Sequence, residues 1–138
     1  MTELQLEAGV FLHLLTRHAR IERQRLEPPL TLSQTMRRGI AQTQPNKAFY
    51  FDRVGPDVLK ACALGAIWYG ATGLSAFVAR FRLFEWFPEL GNNTLFPDAK
   101  NCPAYNSARA LADQIAILND YCGWDRGKIA KWIEDLGY

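Results

Sequence analysis

The chain has 138 residues, of which 49% are hydrophobic, 22% are charged and 12% are aromatic. These are the proportions of one ordinary globular domain, and they exclude a disordered tail, a collagen-like repeat and a disulfide-stapled miniprotein. The formal net charge is only +2, which does not indicate nucleic-acid binding unless the basic residues cluster locally.

The cysteine count and the N-terminal sequence bear on the cellular compartment. Cys62, Cys102 and Cys122 are an odd number without a paired spacing, which argues against a disulfide framework. The acidic N-terminus has no basic region before an apolar run, so no secretory signal is predicted. The most apolar stretch, residues 61–79, is interrupted at Gly73, which favours two core helices over a membrane span, the minor alternative. A cytoplasmic protein without membrane contact is therefore expected.

Helical periodicity predicts an all-α fold, a single compact domain of five to six helices over residues 1–138. The first helix is expected over residues 3–26 and ends in a basic segment before Pro28. A second helix begins at Thr31, which has the capping-box spacing to Gln34.

The middle of the chain is predicted to be helical too. Gly39 either weakens the second helix or allows another element to approach it closely. The β-prone run Phe49–Phe51 shows no partner strand, so it is interpreted as an aromatic plug on the helices. A third helix is expected from Gly55 to about Gly70, with a ridge of small residues that permits close helix packing. A fourth is expected over residues 74–87, with three phenylalanines in the core: Phe77, Phe81 and Phe84.

The C-terminal part begins with a long irregular stretch, residues 88–104, of a length that is often functional or mobile. A fifth helix is expected from about Asn106, with Gly123 as its C-terminal cap. The last helix has Asp125 as its N-cap and Ile129, Trp132, Ile133 and Leu136 as its apolar face.

The sequence contains no complete set of catalytic residues. His13 and His18 are five residues apart, on different faces of the first helix, so they cannot share one metal ion, and no cysteine has a metal-ligand spacing. No strand–glycine-rich turn–helix unit is present for a nucleotide. The carboxylate pairs Asp113 with Asp120 and Glu134 with Asp135 are interpreted as solvated helix faces. We therefore expect no cofactor, no metal and no enzymatic activity.

A basic segment is the strongest functional lead. Residues 17–38 carry six arginines against two glutamates. A solvated face is the simpler interpretation, and a docking patch for an acidic protein or for nucleic acid is the alternative. The candidate partner-binding residues are Arg17, Arg20, Arg23, Arg25, Arg37, Arg38 and, in the long loop, Phe96, with Tyr105 and Trp86 as further aromatic anchors.

A helix-turn-helix around Gly123 is a weaker alternative. Its second helix would expose Arg126, Lys128 and Lys131 toward phosphates or base edges. Asn119 stands where a small residue is expected, and acidic residues dilute the charge of that helix.

Three segments carry a resemblance: 32–39 (LSQTMRRG), 62–66 (CALGA) and 117–132 (ILNDYCGWDRGKIAKW). Their order and content resemble an uncharacterised family of small helical bacterial and phage proteins. The resemblance covers about residues 31–136 and implies a fold unit and a phage or mobile-element origin, with residues 1–28 as an addition, and it implies no mechanism. It draws attention to Asn119 and Asp120, which either hold the turn before Asp125 or face a ligand.

The sequence thus predicts a small non-enzymatic binding or regulatory protein that acts through protein–protein contacts. A DNA-binding regulator that uses the C-terminal helix pair is the alternative. Residues 1–60 carry nine basic and six acidic residues, whereas residues 61–138 carry seven and eight, so the basic character is concentrated at one end. The identity of the partner and the oligomeric state are left open.

Overall fold

The computed structural model describes residues 30–47, 50–75, 80–95, 102 and 109–138. Within these ranges the chain forms five α-helices and two small sheets, so the all-α prediction is wrong, as is a purely helical bundle. The predicted first helix, Phe77 and the predicted helix start near Asn106 lie outside the described residues.

Three of the described helices begin where a capping side chain accepts a hydrogen bond from a backbone N–H of the first turn. Helix α1 is Leu32–Gln42, and both halves of the predicted capping box between Thr31 and Gln34 are formed. Helix α2 is Ala63–Thr72, capped by Cys62 at its start and ended by Gly73, whose φ of 69° is a left-handed conformation that favours glycine. The predicted interruption at Gly73 is therefore confirmed.

The remaining helices are short. Helix α3 is Arg80–Trp86, and a 3-10 turn follows it at Pro88–Gly91. Helix α4 is Leu111–Asp120, and helix α5 is Arg126–Asp135. Asp125 caps α5 as predicted, since its carboxylate accepts a hydrogen bond from the Lys128 N–H at 2.7 Å.

A three-stranded sheet precedes helix α2, and its third strand takes the place of the first half of the predicted third helix. Strand β1 is Gln44–Pro45, β2 is Phe51–Gly55 and β3 is Val58–Ala61. Strand β3 lies in the centre, antiparallel to β2 and parallel to β1. Gly55 therefore ends a strand before the hairpin turn at Pro56–Asp57 instead of starting a helix, because Pro56 and Asp57 are favourable turn residues. The aromatic run does contribute a strand, and its partner is β3.

A second, two-stranded sheet lies before α4. Strand β4, Asn93–Thr94, pairs antiparallel with β5, Arg109–Ala110. The buried side chain of Gln114 joins the two strands, because its amide nitrogen donates hydrogen bonds to the carbonyl oxygens of Thr94 and Arg109. Part of the stretch predicted to be irregular is thus regular backbone.

The core lies where α1, α2, α4 and α5 meet, and its largest fully buried side chains include Leu32, Met36, Ile67, Trp68, Ile115 and Ile133. Helices α1 and α2 form the largest helix–helix interface. They approach so closely that a Cβ atom at Gly39 would lie 1.7 Å from the carbonyl oxygen of Ala66. The predicted small-residue packing is therefore confirmed.

Helix α3 differs from its prediction. Phe81 is 60% exposed and Phe84 is also exposed, so neither belongs to the core. The buried side of this helix carries Leu83 and Trp86, and Trp86 stacks on Trp68 at a centroid distance of 6.1 Å. Both faces of this helix carry large apolar side chains, so the spacing of the phenylalanines does not show which face is buried. Only the packing of the helix decides that.

None of the helices in the described ranges is long and apolar enough to cross a membrane. The described part of the apolar run that raised this alternative, residues 61–75, contains the end of β3, helix α2 and its glycine cap.

Candidate functional site

A cavity of about 130 Å³ opens between the N-terminal end of α2 and one face of α4, and we call it the α2–α4 pocket. Helix α4 contributes residues spaced three, four and seven positions apart, which is the spacing of one helix face. These residues are Ala112, Asp113, Ala116, Asn119 and Asp120.

The two carboxylates of this face lie at opposite ends of the pocket. Asp113 is exposed in the first turn of α4 and Asp120 is half-buried at its last residue. Seven residues of helix separate them by about 10 Å along the axis. The small side chain of Ala116 lies between them and Ala112 adjoins Asp113, so the α4 wall is apolar in the middle and has a carboxylate at each end.

The opposite wall is built from Tyr50 and from Cys62, Ala63 and Leu64 at the start of α2. This end of α2 lies there because the backbone N–H of Cys62 donates to the carbonyl oxygen of Tyr50 at 3.2 Å. A Cβ atom at Gly65 would lie 2.1 Å from that same carbonyl oxygen, so glycine is required for the close approach.

Asn119 holds the two walls together. Its side-chain oxygen accepts a hydrogen bond from the Ala63 N–H at 3.0 Å, and its amide nitrogen donates to the carbonyl oxygen of Asn46 at 2.9 Å. The same nitrogen donates to the Asp120 carboxylate at 2.7 Å. Asn119 therefore anchors the start of α2 and the segment after β1. The prediction that the Asn119 side chain holds the turn before Asp125 is therefore wrong, because its hydrogen bonds go to Ala63, Asn46 and Asp120.

Cys62 takes part in the pocket as a helix cap. Its sulfur accepts a hydrogen bond from the Gly65 N–H at 3.4 Å, and the residue is only 8% exposed. Burial raises the pKa of the Cys62 thiol by more than the Gly65 and Leu64 N–H groups lower it, and the nearby Asp120 carboxylate adds a smaller increase. A protonated, buried thiol is a poor nucleophile.

The first N–H groups of α2 thus have intramolecular acceptors, the Asn119 oxygen and the Cys62 sulfur. A free helix N-terminus would attract an anion, but these donors are already used and two carboxylates lie nearby. The pocket therefore suits a cation or a neutral hydrogen-bond donor and not a phosphate.

Arg126 lies next to this region instead of on the surface. It is 5% exposed, and its guanidinium donates to the Thr43 hydroxyl at 2.7 Å, the Thr43 carbonyl oxygen at 2.8 Å and the Ala61 carbonyl oxygen at 3.2 Å. Burial lowers the pKa of Arg126, with Cys62 acting in the opposite sense. The exposure expected for a helix-turn-helix is wrong for this residue, which ties α5 to Thr43, the C-cap residue of α1, and to strand β3.

The other two basic residues of α5 make local contacts. Lys128 lies over the Trp124 ring at 4.0 Å from its centroid. Lys131 pairs with Asp135 at 3.0 Å and with Glu134 at 3.9 Å. The second carboxylate pair, Glu134 with Asp135, thus takes part in surface ion pairs.

The candidate partner-binding arginines divide into two groups. Arg37 forms an ion pair with Glu134, and the Arg38 Nε donates to the Gly70 carbonyl oxygen at 2.6 Å, so both bind within the chain. Trp86, the further anchor, is buried. The remaining candidates, together with His13, His18 and Tyr105, lie outside the described residues: Arg17, Arg20, Arg23, Arg25 and Phe96.

A disulfide joins Cys102 and Cys122, with their Cα atoms 4.9 Å apart. The expectation that the cysteines form no disulfide is therefore wrong. An odd cysteine count permits one pair and one free thiol, and here the free thiol is the buried Cys62. Sequence spacing could not show this pair, because the loop and the end of α4 meet only in the tertiary structure.

In the ranges that the structure describes, no three His, Cys, Asp or Glu side chains are placed to hold a metal ion. No protein-family model, curated protein or solved structure matches this chain. The resemblance to small bacterial and phage proteins therefore stays a prediction.

Proposed function

We propose that this protein binds another protein by accepting a basic side chain of that partner in the α2–α4 pocket. The observation that carries the proposal is the pattern of the α4 wall, where the carboxylates of Asp113 and Asp120 lie at the two ends and the apolar side chain of Ala116 lies between them. Lysine and arginine have the matching pattern of an apolar stem and a charged head.

The size of the pocket supports a side chain and argues against a larger ligand. A cavity of about 150 Å³ holds one benzene molecule, and this pocket has about 130 Å³. It has room for the end of one long side chain but not for a nucleotide. The aliphatic stem would lie on the alanines, where apolar burial favours binding.

The charged head would be bound at the Asp120 end. This carboxylate is half-buried beside Asn119, whereas Asp113 is exposed. Charge–charge attraction is weakly screened at a partly buried site and strongly screened at an exposed one. Asp120 would therefore contribute the contact and Asp113 a weaker, salt-sensitive attraction.

The alternative of DNA binding through α5 has less support. The buried guanidinium of Arg126 donates hydrogen bonds to Thr43 and Ala61, and the Lys131 ammonium is paired with Asp135. A recognition helix needs its basic side chains free to reach the groove. Non-enzymatic regulation through protein contacts agrees with the pocket proposal, and absence of catalysis stays a prediction.

The test is a titration of the ¹⁵N-labelled protein with Nα-acetyl-arginine methylamide, followed by NMR. We expect saturable shifts of the Ala63 amide and the Asn119 side-chain amide, with a Kd of about 1 mM, as is reasonable for one side chain. The citrulline analogue, which has the same length but no charge, is the matched ligand control and should bind at least about tenfold more weakly.

Three variants and one control variant locate the site. Asp120→Asn should weaken binding of the arginine compound by about tenfold and Asp113→Asn by less, because hydrogen bonds to a charged group contribute roughly 1.5–3 kcal/mol. Ala116→Leu keeps both carboxylates but fills the pocket, so it should abolish the shifts. Asp135→Asn, an equal loss of charge on α5, should leave binding unchanged. Equal binding of the citrulline compound, or full binding by Ala116→Leu, would refute the proposal.

A further inference from the structure

We propose that the Cys102–Cys122 disulfide is a redox-sensitive clamp on the α4 wall of the pocket, so that its reduction loosens that wall and weakens binding. The effect on binding rests on the proposed function, whereas the effect on the wall does not. The proposal rests on where the disulfide is attached.

The disulfide joins the chain at the C-terminal end of α4, where Asp120 lines the pocket. Helix α4 ends at Asp120, and Cys122 follows two residues later. Residue 102 is therefore held at the C-terminal end of α4, while the β4–β5 pairing holds Arg109 at its N-terminal end.

Besides the disulfide, three backbone hydrogen bonds hold the turn after α4, and Cys122 and Trp124 pack partly buried against the core. The N–H groups of Tyr121 and Cys122 both donate to the Ile117 carbonyl oxygen, at 2.9 and 3.2 Å, and the Trp124 N–H donates to Leu118 at 3.2 Å. Helix ends open more readily than helix centres. Without the disulfide, opening of this turn would reach Asn119 directly.

Asn119 is the link between the turn and the pocket. Its hydrogen bonds to the Ala63 N–H and the Asn46 carbonyl oxygen join the end of α4 to the start of α2 and to the segment after β1. Movement of the last turn of α4 would break both bonds and displace Asp120 together with them. Reduction would therefore expose the Ala63 amide and remove the carboxylate from its place in the pocket.

The reaction requires a dithiol reductant. One thiolate of the dithiol attacks the sulfur of Cys122, which is partly exposed, whereas Cys102 is 7% exposed. The S–S bond breaks, Cys102 leaves as a thiolate and takes up a proton, and a mixed disulfide forms at Cys122. The second thiol of the reductant then displaces Cys122. The dithiol is oxidised to a disulfide by two electrons, and both cysteines end as thiols.

The experiment compares the wild-type protein with Cys102→Ser, each with and without dithiothreitol. Mass spectrometry after alkylation counts the free thiols, hydrogen exchange measures the Ala63 amide, and the arginine titration measures binding. For the wild type, we expect one free thiol before reduction and three after it. Reduction should accelerate exchange at Ala63 at least about tenfold and weaken binding about fivefold or more, the size of typical coupling between two sites.

Cys102→Ser is the matched control. It should behave like the reduced wild type and should not respond to dithiothreitol. Three free thiols in air-oxidised protein, or equal Ala63 exchange in both redox states, would overturn the clamp. If the arginine compound binds neither form, the proposed function fails while Ala63 exchange still decides the clamp. If it binds both forms equally, the clamp on binding fails and the proposed function stands.

Discussion

The side-chain oxygen of Asn119 accepts a hydrogen bond from the backbone N–H of Ala63 at 3.0 Å, between residues 56 positions apart. One polar side chain thereby places the start of α2 against the end of α4 and creates the α2–α4 pocket. Because Asn119 is buried and its amide nitrogen also holds the Asn46 carbonyl oxygen, both walls depend on it.

Replacing Asn119 with alanine should therefore destabilise the fold. The buried Ala63 N–H loses its acceptor and the Asn46 carbonyl oxygen loses this hydrogen bond, and the loss of the two bonds costs about 2–4 kcal/mol. Urea denaturation measures the change. Asn93→Ala removes an asparagine from an exposed position and should stay within about 0.5 kcal/mol of the wild type. Equal stability of both variants would show that Asn119 does not join the walls.

The contact between α1 and α2 predicts a large effect at Gly70. A Cβ atom there would lie 1.9 Å from the Thr35 carbonyl oxygen, so the helices must separate. Gly70→Ala should lower the free energy of unfolding by about 3 kcal/mol, as overpacking of a core does. Gly91→Ala, with no atom within 4 Å of its Cβ position, is the control and should change stability by less than about 1 kcal/mol. A wild-type denaturation midpoint for Gly70→Ala would contradict the packing.

Arg126 should be a stabilising residue instead of a surface contact. Arg126→Ala removes the guanidinium donor from the Thr43 hydroxyl and from the Thr43 and Ala61 carbonyl oxygens and should lower stability by about 3 kcal/mol. Lys131→Ala removes a cation from the same helix that is 62% exposed, and its surface pairs contribute less than about 1 kcal/mol. Thermal denaturation compares the two variants. A loss as small for Arg126→Ala as for Lys131→Ala would place its guanidinium outside the core.

The raised pKa of the Cys62 thiol predicts a dependence of stability on pH. The folded chain holds this proton more tightly than the unfolded chain, so the contribution is complete below the unfolded pKa of about 8.5 and is lost as the pH rises toward the folded value. Over that window, the free energy of unfolding should fall by up to about 1.4 kcal/mol per pH unit because of this group.

The measurement for Cys62 is a series of urea titrations from neutral to alkaline pH. Cys62→Ser keeps a side chain that can cap α2 and has no thiol to titrate, so its stability should fall less steeply. Identical slopes for the two proteins would show that the thiol pKa does not differ between folded and unfolded chains.

The region that follows Gly55, which periodicity predicts to be helical, shows that periodicity alone does not distinguish a helix from a strand. Leu59, Ala63 and Ile67 are spaced four apart and fit a helix, yet Leu59 belongs to β3. Strand β3 is defined by its pairing with strands on both sides, with Lys60 opposite Asp52 of β2 and opposite Gln44 of β1. A short apolar run fits either structure, and only the presence of neighbouring strands selects between them.

The sequence by itself determined the features whose partners lie within about four residues. These include the capping box of Thr31 and Gln34, the Asp125 cap and the interruption at Gly73. The side chain and the backbone group that it binds are neighbours in the chain, so composition and spacing suffice to predict them.

Only the tertiary structure decided the sheet, the disulfide, the burial of Arg126 and the pocket. Each depends on groups that are distant in the chain, such as Cys102 with Cys122 or Ala63 with Asn119. Local spacing carries no information about which helix face or loop will meet another. That choice is made when the whole chain packs, because burial of apolar surface and satisfaction of buried polar groups are properties of the assembled core.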